Sequence, residues 1–174
     1  MIPLTIESYA DMDTPISVFK RMQTEKDCFL LESIGQNHVT ARFSFIGRNP
    51  FISFKSLNDE ITISDYTGKT NTYKGKPMEE LEKLIEKYKA PKLENIPSFN
   101  GGAVGFFAYD IIRQYEHLPN INQDDLHLPD MHFMLMDEII AFDHMRQKIV
   151  IIVNIHAEGD IENQYKKATG RLLD

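Results

Sequence analysis

Apolar and polar side chains alternate along several short stretches of the chain, and this period of two is typical of β-strands that bury one face. Residues that favour turns, such as Asn58-Asp59 and Thr67-Gly68, separate these stretches. The alternation predicts strands over residues 4–9, 51–57, 60–66 and 69–73. Because the last three follow one another with short connections, we expect them to form an antiparallel meander.

The stretch from Cys28 to Gly47 predicts two further strands joined by a turn. Its first strand is apolar up to Leu31 and then ends in Glu32-Ser33, a carboxylate beside a hydroxyl. Polar groups are costly to bury unless they are paired, so the pattern alone favours a position facing solvent at the turn. The other interpretation is a polar corner in an apolar pocket, which is how small-molecule sites are usually built.

Longer apolar segments at 131–142 and 148–155, separated by a polar turn, predict a second hairpin. Three other segments repeat their apolar residues at helical spacing, and these helices begin near Pro15, Pro77 and Asp160. Antiparallel strands with few helices indicate an α+β fold, with largely antiparallel, sandwich-like sheets and a few helices packed outside.

Three glycines, Gly101, Gly102 and Gly105, lie just before a predicted short helix between Ile111 and Leu118. Glycines in front of a helix can present backbone amides to a phosphate. The segment has neither a Gly-Lys-Ser/Thr ending nor a GxGxxG pattern, and it continues as an apolar strand. We therefore expect a structural role, in which the glycines allow a close approach to a neighbouring strand.

Composition places the chain among ordinary globular proteins, since 42% of its 174 residues are apolar and 26% are charged. A single domain over residues 1–174 is expected. The net charge of −7 argues against binding to nucleic acid or to an anionic membrane. One cysteine, no secretory signal and no apolar run of the length of a membrane span predict a cytoplasmic protein.

Catalytic constellations are not visible in the sequence. His127, His132 and Asp130 do not follow the spacing of a known metal motif, and we predict no metal site and no catalytic residue in this chain. The neighbouring carboxylates Asp137 and Glu138 should point to opposite faces of a strand, which does not suit an acid–base pair. The residues alone indicate only an α+β domain without an evident active site.

Several motifs, in their order and approximate spacing, resemble the N-terminal domain of anthranilate synthase component I, a member of the chorismate-utilising synthases. The motifs are Phe-Leu-Leu-Glu-Ser at 29–33, Ala-Arg-Phe-Ser-Phe-Ile-Gly at 41–47, the glycine-rich segment 101–110 with Arg113 and Glu116, Leu-Pro-Asp at 128–130 and Phe-Asp-His at 142–144. Phe43 and Phe106 stand where the family commonly has tyrosine. The resemblance covers nearly the whole chain.

The resemblance implies that the parent enzyme makes anthranilate and pyruvate from chorismate and glutamine-derived ammonia. It also implies a C-terminal catalytic domain that binds Mg²⁺ and is absent from this chain, so that the fragment alone carries no cofactor and is expected to be inactive. The implied partners are that catalytic domain, a glutamine amidotransferase subunit (component II) and L-tryptophan as feedback inhibitor.

By the same resemblance, Leu31, Glu32, Ser33 and, on the partner strand, Ser44 line the tryptophan site. The assignment makes chemical sense, because a zwitterionic amino acid needs an acceptor for its ammonium, a donor for its carboxylate and an apolar slot for its ring. Two alternatives stay open: the same domain of para-aminobenzoate synthase component I, and a free-standing ligand-binding domain with a similar sheet framework.

Overall fold

A computed structural model describes residues 1–23, 27–33, 41–119 and 125–173 of the chain. Ten strands are formed: β1 (Ile2–Tyr9), β2 (Phe29–Glu32), β3 (Phe43–Gly47), β4 (Ile52–Leu57), β5 (Glu60–Asp65), β6 (Thr70–Lys74), β7 (Gly102–Phe107), β8 (Met131–Met136), β9 (Glu138–Asp143) and β10 (Lys148–Ile155). The α-helices are α1 (Pro15–Met22), α2 (Pro77–Lys87) and α3 (Ile161–Leu173).

The chain divides into two compact units. The first unit comprises Met1–Pro50, Tyr88–Gly102 and Met136–Asp174. The second unit comprises Phe51–Lys87 and Ala103–Leu135. The units contain one five-stranded sheet each, and every strand pair with an assigned register is antiparallel. This confirms the predicted α+β class with antiparallel sheets, whereas the assignment of 1–174 to a single domain stays a prediction.

In the first unit, the strand order is β1-β10-β9-β3-β2, so the predicted hairpin of β2 and β3 forms one edge of the sheet. The strand predicted over residues 4–9 corresponds to β1, which lies at the other edge. Helix α3 packs against β10, where Ala168 and Leu172 contact Val153 and Ile155. Helix α1 packs against β2 and β3. It begins at a capping box in which Thr14 and Ser17 exchange side-chain and backbone hydrogen bonds.

The second unit has the strand order β6-β5-β4-β8-β7, and the predicted meander of β4, β5 and β6 is confirmed. The core of this unit consists of residues from β4, β5, β8 and α2: Phe54, Ile61, Leu81, Met131 and Phe133. Helix α2 contributes the apolar face that its helical periodicity predicts, because Leu81 is buried while Met78 and Leu84 pack against the same core.

The apolar segment predicted at 131–142 is interrupted at Asp137, and only its second half forms the predicted hairpin. β9 pairs with β10, whereas β8 pairs with β4 in the other sheet. Ion pairs mark the point of interruption. The buried carboxylates of Asp137 and Glu138 both accept hydrogen bonds from Arg171 of α3, and Arg48 donates a further one to Glu138.

The glycine-rich segment forms β7, and the predicted packing role is confirmed. A Cβ atom on Gly105 would lie only 2.0 Å from the carbonyl oxygen of His132 on β8. The short helix that follows is a 3-10 helix at Tyr109–Gln114, which begins earlier than the predicted Ile111. Among the described residues, no helix has the length and apolar character that crossing a membrane would require.

Candidate functional site

The hairpin of β2 and β3 brings two of the four predicted site residues together. Glu32 lies directly opposite Ser44, and Leu31 lies directly opposite Phe45. Residues opposite each other in an antiparallel pair share a face, and neighbours along a strand alternate between faces. Glu32 and Ser44 therefore occupy one face of the sheet and Leu31 the other. Ser33 follows the last residue of β2, so strand pairing does not fix its direction.

The four predicted site residues also differ in solvent exposure. Glu32 and Ser33 are exposed and Leu31 is 45% exposed, whereas Ser44 is only 2% exposed. In this chain the carboxylate and hydroxyl at the end of β2 thus face solvent, which is the first of the two interpretations of the sequence. The neighbouring strand β3 contributes the buried hydroxyl of Ser44.

Ser44 has a partner that the sequence did not identify as a site residue. Its Oγ lies 2.7 Å from Nε2 of His144, which follows β9 immediately. Ser44 is also directly opposite Phe142 on β9. The 2.7 Å contact places the imidazole of His144 on the same side of the sheet as the Ser44 hydroxyl. Glu32, Ser44 and His144 together form what we call the polar row, which runs across β2, β3 and the end of β9.

Asp143 holds the turn that carries His144. Its carboxylate accepts hydrogen bonds from Nε and Nη2 of Arg42, the shortest at 2.6 Å, and from the backbone amides of Met145 and Arg146. Burial raises the pKa of the Asp143 carboxyl, but the bonds from Arg42 and the two amides lower it, and the pKa ends below its usual range. The same contact raises the pKa of the Arg42 guanidinium.

The opposite face of the hairpin carries aromatic rings. Phe29 and Phe45 both pack against Phe99, with ring centroids 6.4 and 5.3 Å apart, and the guanidinium of Arg42 lies 4.7 Å above the ring of Phe43. Because these rings lie on the same face as Leu31, the apolar side chains expected around Glu32 divide between both faces. Leu30 alone among the apolar residues of β2 shares the face of Glu32.

Two clefts stand out in the part of the chain that the structure describes, one in each unit. A cleft of about 230 Å³ in the first unit is bordered by Phe43, Arg42 and Asp143 together with the Glu7–Lys148 ion pair. A wider, open cleft of about 1100 Å³ in the second unit is bordered by the exposed Tyr109 and Tyr115. Neither lining includes Leu31, Glu32, Ser33 or Ser44.

The histidines considered as metal ligands have other surroundings. Nε2 of His132 lies 3.3 Å from Oγ of Ser53, and its ring packs edge-on against Phe106. Asp130 accepts a hydrogen bond of 2.6 Å from the backbone amide of Asn58. Within the described ranges, no group of three or more His, Cys, Asp or Glu side chains could hold a metal ion.

The sequence and its family resemblance named Glu32 and Ser44 as candidate site residues, and they did not name His144, Asp143 or Arg42, which the structure places beside Ser44 and its turn. A signal was available, because Phe-Asp-His at 142–144 is among the motifs that carry the family resemblance. The motif alone could not show that its histidine reaches Ser44, since the two residues are about a hundred positions apart and meet only when β3 pairs with β9.

The sequence was compared with protein-family models and with known proteins. The family model described as "chorismate binding enzyme" matches residues 26–172. Anthranilate synthase component 1 of Acetivibrio thermocellus is 48% identical over 172 residues, which cover 99% of this chain and 35% of that protein. The Aquifex aeolicus protein of the same name is 33% identical and is matched over 100% of this chain and 35% of its own length.

A solved structure has a similar fold. The crystal structure of anthranilate synthase component I from Streptococcus pneumoniae superimposes with a TM-score of 0.61 at 30% sequence identity, covering 95% of this chain and 35% of that chain. The present chain thus spans about a third of the length of the relatives it matches. Because the family model covers most of the chain, and the relatives and the fold agree with it, this chain belongs to the chorismate binding enzyme family.

Proposed function

We propose that this chain is the tryptophan-sensing N-terminal part of an anthranilate synthase component I. The parent enzyme would convert chorismate and glutamine-derived ammonia into anthranilate and pyruvate. The observation that carries the proposal is the 48% identity to an anthranilate synthase component 1 along 99% of the chain. The relatives described above share that name, which favours the anthranilate branch over the para-aminobenzoate branch.

The polar row supports a role in binding an amino acid. Glu32 offers an exposed carboxylate for an ammonium group, and the Ser44 hydroxyl beside it offers a hydrogen-bond donor for a carboxylate. Ser33, at the end of β2, is a second hydroxyl within the same short segment. Leu31 is placed to contribute apolar surface only on the opposite face, so we assign it a supporting part in the site.

Catalysis is proposed to reside outside this chain, in a C-terminal domain of the parent protein. The same proposal assigns Mg²⁺ to that catalytic domain, and we derive no catalytic step from this chain. A glutamine amidotransferase subunit, component II, is the proposed source of ammonia. We expect the parent complex to be cytoplasmic.

The decisive experiment measures tryptophan inhibition of the full-length protein that contains this chain. Glu32→Gln and Ser33→Ala should each raise the inhibition constant for tryptophan by roughly tenfold, since the first removes the negative charge facing the ligand ammonium and the second removes a hydroxyl that can hydrogen-bond to the ligand. Inhibition is expressed relative to the uninhibited rate of the same variant, with chorismate as substrate and anthranilate fluorescence as the readout.

Matched controls are Glu82→Gln on the exposed face of α2 and Ser8→Ala on β1, which replace the same residue types far along the chain. Both control variants should have the same inhibition constant for tryptophan as the wild type. Unchanged inhibition in both site variants would reject the site assignment. Formation of para-aminobenzoate precursors instead of anthranilate, or no turnover of chorismate, would reject the proposed activity.

A further inference from the structure

The polar row ends in a side chain that the proposed function does not yet use. Ser44 is 2% exposed, and its Oγ lies 2.7 Å from Nε2 of His144, so the two side chains share a short hydrogen bond. His144 itself is exposed, and Glu32 lies opposite Ser44 on the far side of the bond. The buried hydroxyl thus lies between an imidazole and the carboxylate that is proposed to bind a ligand ammonium.

Hydrogen bonds hold the backbone of the turn that carries His144. The amide of His144 donates a hydrogen bond of 2.9 Å to the carbonyl oxygen of Arg42, next to β3. Asp143 organises the rest of the turn through its bonds to Arg42 and to the next two amides. These bonds tie the backbone of the turn to the chain entering β3, and from this position the imidazole reaches Ser44.

A hydroxyl has one hydrogen to donate, and its partner decides where that hydrogen goes. If Nε2 of His144 carries a hydrogen and donates it, the Ser44 hydrogen is available for a ligand carboxylate. If Nε2 accepts, the Ser44 hydrogen is used within the protein and a carboxylate meets only lone pairs. A protonated imidazole always donates from Nε2, and its positive charge also favours an anion nearby.

We propose that His144 is a positioning residue of the inhibitor site: it donates from Nε2 to Ser44 Oγ and thereby directs the Ser44 hydrogen to the carboxylate of the bound amino acid. This proposal rests on the proposed function. It implies that inhibitor binding takes up part of a proton, because the protonated imidazole is the form that always donates. Binding should therefore be tighter at acidic than at alkaline pH.

The other ionisable groups around His144 do not ordinarily change their charge near neutral pH. Among described residues, Glu32 faces it from β2, Asp143 and Arg146 belong to its own turn, and Arg42 lies beside β3. Helix α1, which packs against the same two strands, carries Lys20 and Arg21. Carboxylates, ammonium and guanidinium groups ordinarily keep their charge between about pH 6 and about pH 8, where imidazoles change theirs.

The experiment uses the full-length protein and measures the tryptophan inhibition constant from about pH 6 to about pH 8. In the wild type it should rise with pH, by at most about tenfold per unit for one coupled proton. His144→Leu should raise the constant by roughly tenfold at low pH and remove the pH dependence, since the donor is lost. His144→Gln, which keeps an N–H donor that does not titrate, should restore affinity without restoring the pH dependence.

Two further variants test the route through Ser44. The double variant Ser44→Ala with His144→Leu should bind no more weakly than Ser44→Ala alone, because His144 acts only through that hydroxyl. His117→Gln is the matched control, an exposed histidine of the second unit, and should keep the wild-type pH profile. His38→Gln tests the histidine that lies between β2 and β3 in sequence, and this variant should also keep the wild-type pH profile.

The outcomes separate this proposal from the proposed function. If Glu32 and Ser33 variants relieve inhibition but His144→Leu keeps wild-type affinity and pH profile, only the role of His144 is overturned. The role of His144 is also overturned if His38→Gln removes the pH dependence. It is overturned as well if His144→Gln binds tryptophan as weakly as His144→Leu. If tryptophan does not inhibit the wild type, the proposed function fails and this proposal fails with it.

Discussion

At the scale of single residues, Asp143 is the group on which the most contacts of the site depend. Its buried carboxylate joins the guanidinium of Arg42 to the amides of Met145 and Arg146, and the turn so formed carries His144 to Ser44. The side chain of Asp143 is 5% exposed while that of Arg42 is 33% exposed. A charge paired in this way is stabilising mainly because removal of either partner leaves the other uncompensated.

Asp143→Asn should lower the free energy of unfolding by roughly 1.5–3 kcal/mol, since an amide keeps one acceptor but loses the charge that holds Arg42. Hydrogen exchange at neutral pH should show faster exchange of the Met145 and Arg146 amides. Asp110→Asn, in the exposed pair with Arg113, is the control and should change stability by less than about 1 kcal/mol. Unaltered exchange in the Asp143 variant would contradict this account.

The pH dependence of this effect follows from the direction of the pKa shift. The pKa of Asp143 is lower in the folded chain than in the unfolded chain, so its stabilisation is present above the unfolded value of about 3.9. It is lost as the pH falls through the folded value. The stability difference between wild type and Asp143→Asn should therefore shrink below about pH 4, as denaturant titrations would show.

The sequence predicted the hairpin of β2 and β3, and the family resemblance named Glu32 and Ser44 on its two strands, but the register that sets them opposite each other comes from the structure. The position of His144 could not be anticipated in the same way. A residue just beyond a strand has no pairing partner to fix its direction, and here that direction depends on bonds from Asp143 and on a strand that is distant in sequence.

At the scale of secondary-structure elements, two glycines have opposite surroundings. Gly105 in β7 lies so close to β8 that a Cβ would be 2.6 Å from the Cα of Phe133. Gly170 in α3 has no atom within 4 Å of the place where its Cβ would be. One glycine is required by a backbone contact, whereas the other only weakens its helix.

Gly105→Ala should therefore destabilise the protein by about 1–3 kcal/mol or more, because backbone rather than a flexible side chain must move. Gly170→Ala, the same substitution, should stabilise α3 by up to about 1 kcal/mol. Thermal unfolding of both variants beside the wild type measures the difference. Equal effects of the two substitutions would show that the close contact of β7 with β8 does not determine stability.

Most elements were predictable because local periodicity decides them. Helix α2 and the meander of β4, β5 and β6 depend on spacing that each segment carries by itself. The division of 131–142 into β8 and β9 was not predictable. The segment divides at Asp137, whose carboxylate pairs with Arg171 of α3, a residue more than thirty positions away that no local pattern connects to it.

At the scale of the whole molecule, the chain corresponds to about 35% of its relatives' length, and the predicted site residues are mostly exposed. Small-molecule sites usually bury most of the ligand. The polar row offers charge and hydrogen bonds, but the apolar side chains of the hairpin mainly lie on its opposite face. The remaining walls of a tryptophan pocket must come from elsewhere in the parent protein if the proposed function is right.

The isolated chain should therefore bind tryptophan only weakly, with a dissociation constant above about 1 mM, because an open half-site forfeits most of the burial that drives binding. It should also form no anthranilate from chorismate and ammonia. Calorimetry and a fluorescence assay check the two expectations. Micromolar affinity in the isolated chain would mean that the described residues already complete the pocket.

The register of β2 and β3 gives one short hairpin two separate tasks. Side chains at even positions include the polar pair of exposed Glu32 and buried Ser44, while odd positions, such as Phe29 and Phe45, hold the aromatic packing with Phe99. Substitutions that change ligand preference need not disturb the packing that keeps the hairpin in place. Substitutions on the face of Glu32 can therefore change the chemistry of this edge of the sheet without rebuilding the fold that presents it.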